Sequence, residues 1–101
     1  MTNPTQHEKT LAIAKAMYGN TAVEVNALDE VLLPIEVGQH GIRPFNPYTS
    51  AEDCLAVQEF FKIDADWENN EWNAYHTKAG YGIDKDLKTA IADCAYEITK
   101  G

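Results

Sequence analysis

The sequence predicts an α+β fold, three helices packed on a small antiparallel sheet in the order α-β-β-α-β-β-α. Three observations carry this. Three segments place apolar residues at helical spacing behind recognisable N-terminal caps. Between them lie runs that alternate with period two or gather Val, Leu and Ile. The 101 residues hold no internal repeat and no Gly-, Pro- and Ser-rich linker, so they make one domain over 1–101. A chain of this length buries roughly 65% of its extended-chain area, enough for a single core.

The first element runs from about Pro4 to Tyr18. Asn3 or Thr5 caps it, Glu8 completes a capping box from Thr5, and Gly19-Asn20 stops it. Leu11, Ile13, Ala14, Met17 and Tyr18 supply its apolar side. An extended region follows. Ala22-Val23-Glu24-Val25 alternates, and Leu28 to Val37 is rich in Val, Leu and Ile. Pro34 inside the latter makes it an edge strand or splits it. Gly38, Gly41, Pro44 and Pro47 mark a loop from Gly38 to Pro47.

The second helix begins at Thr49 or Ser50 and ends near Lys62-Ile63. Thr49 with Glu52 spells a capping box, and acids in the first turn suit the helix dipole. Cys54, Val57 and Phe61 share one face, flanked by Phe60, while Glu52 and Glu59 fall together on the opposite face.

Asp64 to His76 reads as a β-hairpin turning at Asn69-Asn70, because Asn tolerates positive φ. That turn sets Glu68 opposite Glu71, Trp67 opposite Trp72, Asp66 opposite Asn73 and Ala65 opposite Ala74. Trp67 and Trp72 then form a cross-strand pair expected to pack inward as core. Asp64, Asp66, Glu68 and Glu71 share the other face. Like charges in direct opposition cost stability, so that face is wet or awaits a cationic partner. Gly80-Tyr81-Gly82 reads as a turn. The last helix is capped by Asp84 or Asp86, and Leu87, Ile91, Cys94 and Ile98 line one side with Ala90 and Ala95 beside them.

Composition excludes several classes. Sixteen acids against eight bases give a net charge of −8, so no Lys/Arg stripe is available and direct nucleic-acid binding is not expected. A 45% hydrophobic content with two Trp and five Tyr excludes a disordered tail. No stretch approaches the ~18 apolar residues that span a bilayer, so no membrane partner is expected. The polar N-terminus lacks the layout of a signal peptide. Cys54 and Cys94 lie in apolar helical patterns and read as free buried thiols of a reducing cytosol, or else as a single bridge.

Catalytic motifs are missing as well. Ser50, the only serine, is a helix-cap residue, and Gly-x-Ser-x-Gly, Walker and dinucleotide glycine patterns do not occur. Mid-helix thiols on apolar faces are inert. Asp64-x-Asp66-x-Glu68 is no calcium loop, because the sixth and twelfth positions are Asn69 and Tyr75 in place of Gly and Glu. His7, His40 and His76 show no zinc spacing, and His76 shares the predicted face of Trp72 as a partly buried residue. Arg43, the sole arginine, reads as an ordinary loop cation before the second helix. A non-enzyme without metal or cofactor is expected.

Charge is the strongest remaining signal. Glu52, Asp53, Glu59, Asp64, Asp66, Glu68 and Glu71 stand against Lys62 alone, a net of −6 within twenty residues. Such a surface can imitate the charge of nucleic acid and dock on a basic groove. The alternative is a solvated face that keeps the protein soluble.

Met17-Tyr18-Gly19 closing the first helix, Phe45-Asn46-Pro47-Tyr48-Thr49-Ser50 opening the second, Trp72-Asn73-Ala74-Tyr75, and Asp86-Leu87-Lys88-Thr89-Ala90-Ile91 opening the last together resemble the small phage αβα-sandwich proteins. These are accessory proteins of tailed phages and prophages, and the likeness follows element order over most of the chain. Where that family's second helix carries a Trp, Leu55 to Phe61 offers Phe. The resemblance implies a phage protein of the host cytoplasm and brings no catalytic residues. Several anti-CRISPR proteins block nucleic-acid grooves with acidic surfaces. By that analogy the expected partner is a host nucleic-acid-handling complex, such as a CRISPR effector. It would be met by Asp64, Asp66, Glu68 and Glu71 and by the Glu52 and Glu59 face. Two rivals stand beside this. A sponge for a small nucleotide signal needs Arg43 to converge with Lys78 or Lys85. A structural or regulatory phage protein would oligomerise, through Trp67 or Tyr81.

Overall fold

The structure, a computed structural model, describes residues 4–19, 23–25, 28, 30–33, 43–76 and 80–100. In chain order the elements are α1 (Gln6–Tyr18), β1 (Glu24–Val25), β2 (Val31–Leu33), β3 (Arg43–Phe45), α2 (Ala51–Phe61), β4 (Asp64–Glu68), β5 (Glu71–Tyr75), β6 (Tyr81–Asp84) and α3 (Leu87–Lys100). The expected α+β class holds. The strands form two antiparallel sheets of three, ordered β1-β2-β3 and β4-β5-β6, with two strands more than the sequence announces.

Both extra strands arise where Gly and Pro point to loops. β3 lies inside the expected 38–47 loop, and its Pro44 is tolerated because β3 is an edge strand. β2 is the central strand of its sheet rather than an edge, and it ends at Leu33, one residue before Pro34. Pro34 itself lies outside the described residues. Gly80-Tyr81-Gly82 is not a turn but the start of β6. Its glycines answer a packing demand: a Cβ on Gly82 would meet the Ala90 carbonyl oxygen and stand 2.8 Å from the Cys94 nitrogen. The helix therefore rests on bare backbone.

Caps fix the helix starts. Glu8 N–H donates to Thr5 Oγ1 at 3.1 Å and Thr5 N–H to Glu8 Oε1 at 3.3 Å, the expected capping box. Gly19, at φ +97°, ends α1. Ser50 rather than Thr49 caps α2, accepting from Asp53 N–H at 3.3 Å. Asp86 caps α3, its Oδ2 accepting from Thr89 N–H and the Thr89 hydroxyl, while Asp84 Oδ1 accepts from Asp86 N–H.

α3 is the hub of the packing. It lies against β6 and β5 on one side and meets both α1 and α2. Ala90, Ile91, Ala92, Cys94 and Ala95 are all buried along it, and four of these five side chains are small enough to admit neighbours on several sides. Ala65, Ala74 and Gly82 align across β4, β5 and β6 to form the shallow track beneath it. β2 packs on α1, and Ile13, Leu33 and Phe45 are fully buried. Cys54 and Cys94 are buried and unbridged.

Candidate functional site

The second hairpin forms as its sequence demands. Asn69 and Asn70 take φ +54° and +63°, the two left-handed positions of a tight turn. The register follows: Glu68 faces Glu71, Trp67 faces Trp72, Asp66 faces Asn73 and Ala65 faces Ala74. The two indoles meet edge-on with centroids 5.4 Å apart. They are not equally core, however. Trp72 is half-buried against the core, whereas Trp67 is 55% exposed. α3 rests on β5 and β6, so the edge strand β4 gets little cover from the helix.

The opposite face of this sheet is the candidate site. Asp64, Asp66 and Glu68 stand exposed along β4, and half-buried Glu71 completes the group on β5. No ion pair among the described residues involves any of the four. Next to them come groups whose part in this face the sequence reading did not anticipate. Register places Asn73 and Ile83 in line with Asp66, and Tyr75 and Tyr81 in line with Asp64. The Tyr75 hydroxyl donates to Asp66 Oδ2 at 2.9 Å, and the Tyr81 hydroxyl to Asn73 Oδ1 at 2.8 Å. The bond to Asp66 and its negative charge push the Tyr75 phenol above its ordinary range. Tyr81 and Ile83 are about half exposed. The face thus grades from carboxylates on β4 to aromatic and aliphatic groups on β6. The period-two pair Tyr81-x-Ile83 was its sequence signal, hidden by the flanking glycines.

The acidic run does not stay together. Glu52 and Glu59 are exposed on α2, which packs on α3, on the other side of the sheet from the acidic face. Asp53 leaves the surface altogether: it is buried and its Oδ2 accepts the Asn46 N–H at 2.9 Å, tying the preceding loop to α2. Asp64, Asp66 and Glu68 are spread along a strand. Among the described residues no three His, Cys, Asp or Glu side chains gather as a metal site.

Other residues singled out by sequence have structural positions. The Ser50 hydroxyl is engaged as a cap. Burial pushes the Cys54 thiol up, and burial with the nearby Glu97 charge pushes Cys94 up to about 11. His7 and His76 are half-buried. Arg43 lies in β3. Lys85 is exposed. The Arg43 side chain, His40 and Lys78 lie outside the described residues, as does the convergence a nucleotide site would require.

No protein family, no curated protein and no solved structure matches this chain. Among the described residues no helix is long and apolar enough to cross a membrane.

Proposed function

We propose that this is a non-catalytic binding protein that lays the outer face of β4–β6 on a cationic, nucleic-acid-binding surface of a partner and so occupies it. The observation that supports this is the uncompensated carboxylate group itself. Glu68 and Glu71 oppose each other directly across the strand pair, beside Asp66, and no ion pair among the described residues offsets them. Directly opposed like charges cost about 0.2–1 kcal/mol, which a single Lys at either position would remove. A face kept only for solubility has no need of that arrangement, whereas a Lys/Arg-lined groove would reward it.

The phage resemblance points to a host defence complex as that partner, a CRISPR effector being the case in which acidic inhibitors are known as a class. Mimicry of phosphate charge steers encounter, so its signature is kinetic and salt-dependent. Capture from host lysate should retain one nucleic-acid-handling complex at low salt and release it at high salt. Against that complex, the triple variant Asp66→Lys, Glu68→Lys, Glu71→Lys should associate at least tenfold more slowly and with a flatter salt dependence. An unchanged association rate would sink the proposal.

A further inference from the structure

The other edge of the same sheet carries a separate argument, independent of the acidic face. His76 N–H donates to the Gly80 carbonyl at 3.4 Å, and antiparallel ladders alternate the direction of successive residues. Gly80, Gly82 and Asp84 therefore turn their backbone groups toward β5. Tyr81 and Ile83 turn theirs outward. The tight Asn69-Asn70 turn gives the same result from the other end of the sheet, because it makes Glu68 and Glu71 a hydrogen-bonded pair and leaves Trp72 and Ala74 to bond β6. Among the described residues no strand pairs with the outward side of β6.

That outward side is not flat. It opens into a cleft of about 330 Å³ between β6, the start of α1 and the last turns of α3. Pro4 and Lys9 line one wall, and Asp93, Tyr96, Glu97 and Lys100 the other. The Lys9 and Lys100 ammonium groups lie 5.7 and 5.5 Å from the Tyr96 ring centroid. Each ammonium has three donors. Lys9 gives one to Asp93, at 3.1 Å, and Lys100 gives one to Glu97, at 3.0 Å. The Asp93 oxygen that meets Lys9 also accepts the Tyr48 hydroxyl at 2.7 Å. Asp93 and Glu97 balance the two charges, and each ammonium keeps two N–H donors beyond these bonds.

We infer that the β6 edge, with the Lys9–Tyr96–Lys100 cleft beside it, binds an extended peptide segment as a fourth strand of the β4–β6 sheet. Two N–H and two C=O groups, set two residues apart on Tyr81 and Ile83, match the pairing pattern of one strand. Side chains opposite Tyr81 and Ile83 share their outer face and are apolar. The side chain opposite Gly82 points to the cleft side and carries an acceptor oxygen, as Glu does, taking up the spare donors of Lys9 and Lys100.

Titration of the isotopically labelled full chain with the capped peptide Thr-Val-Glu-Val-Thr tests this by amide NMR. The Tyr81 and Ile83 amides should shift and exchange with solvent at least tenfold more slowly. A peptide N-methylated at both Val residues should bind at least tenfold more weakly, as should one with Lys in place of Glu. The double variant Lys9→Gln, Lys100→Gln should lose the preference for Glu while still binding the strand. Equal binding of the methylated peptide, or no perturbation of Tyr81 and Ile83 by any peptide, overturns the inference. Equal affinity for the Glu and Lys peptides overturns the preference for an acceptor opposite Gly82.

Discussion

Gly82 shows how a single absent side chain sets the spacing of two elements. Because a Cβ there would collide with the Ala90 carbonyl, Gly82→Ala must lift α3 from the sheet. Overpacking of this kind costs about 1–3 kcal/mol, and the urea midpoint should fall accordingly with the slope unchanged. Two buried groups set the response to alkali. The folded state holds the Cys94 thiol protonated to about 11, above its ordinary 9.0. The Tyr48 hydroxyl, desolvated and bonded to Asp93, is likewise held above its ordinary 10.0. Both are raised in the folded state, so the stability they confer is complete below pH 9. It is lost as pH climbs through 9 to 11 for the thiol and beyond 10 for the phenol. Unfolding free energies measured between pH 7 and pH 11 should decline from about pH 9, the thiol contributing roughly 2 kcal/mol. Cys94→Ser should flatten the lower part of that decline; an unaltered profile would show that the thiol is not its source.

The β4–β5 hairpin was legible because its determinants are local. Two asparagines able to take positive φ set the register, and strict alternation set the faces. What the sequence could not show depends on neighbours far along the chain. Tyr81 and Gly82 form a strand rather than a turn because α3 docks on Gly82. Trp67 stays half exposed because the same helix covers β5 and β6. Pro44 fits a strand because no other strand adds to the far side of β3 among the described residues. Since the opposed glutamates cost stability, Glu71→Lys should raise the unfolding free energy by about 0.5 kcal/mol while weakening partner binding. Thermal denaturation and binding kinetics on the one variant separate the two effects. Loss of both stability and binding would assign Glu71 a structural role instead.

Over the whole molecule, the seven-acid run was visible in the sequence but its division was not. Four carboxylates share a sheet face, two stand on α2, and Asp53 is taken inside by the Asn46 N–H. Only the first group meets the geometry of a continuous docking face. α3 touches both other helices and the second sheet, so these elements should unfold together. Indole fluorescence, which reports the hairpin, and helical circular dichroism should give coincident urea transitions; two separated midpoints would mean independent units. The cleft beside β6 has one more consequence. Pro4 and Lys100 both line it, so the two ends of the described chain come together at that edge. An affinity tag or fusion attached directly at Pro4 or Lys100 would hang over β6 and compete with whatever the edge binds. A circular permutant that joins these ends and opens the Asn69-Asn70 turn would move the tether to a hairpin tip. The β6 edge could then be studied without an appendage crowding it.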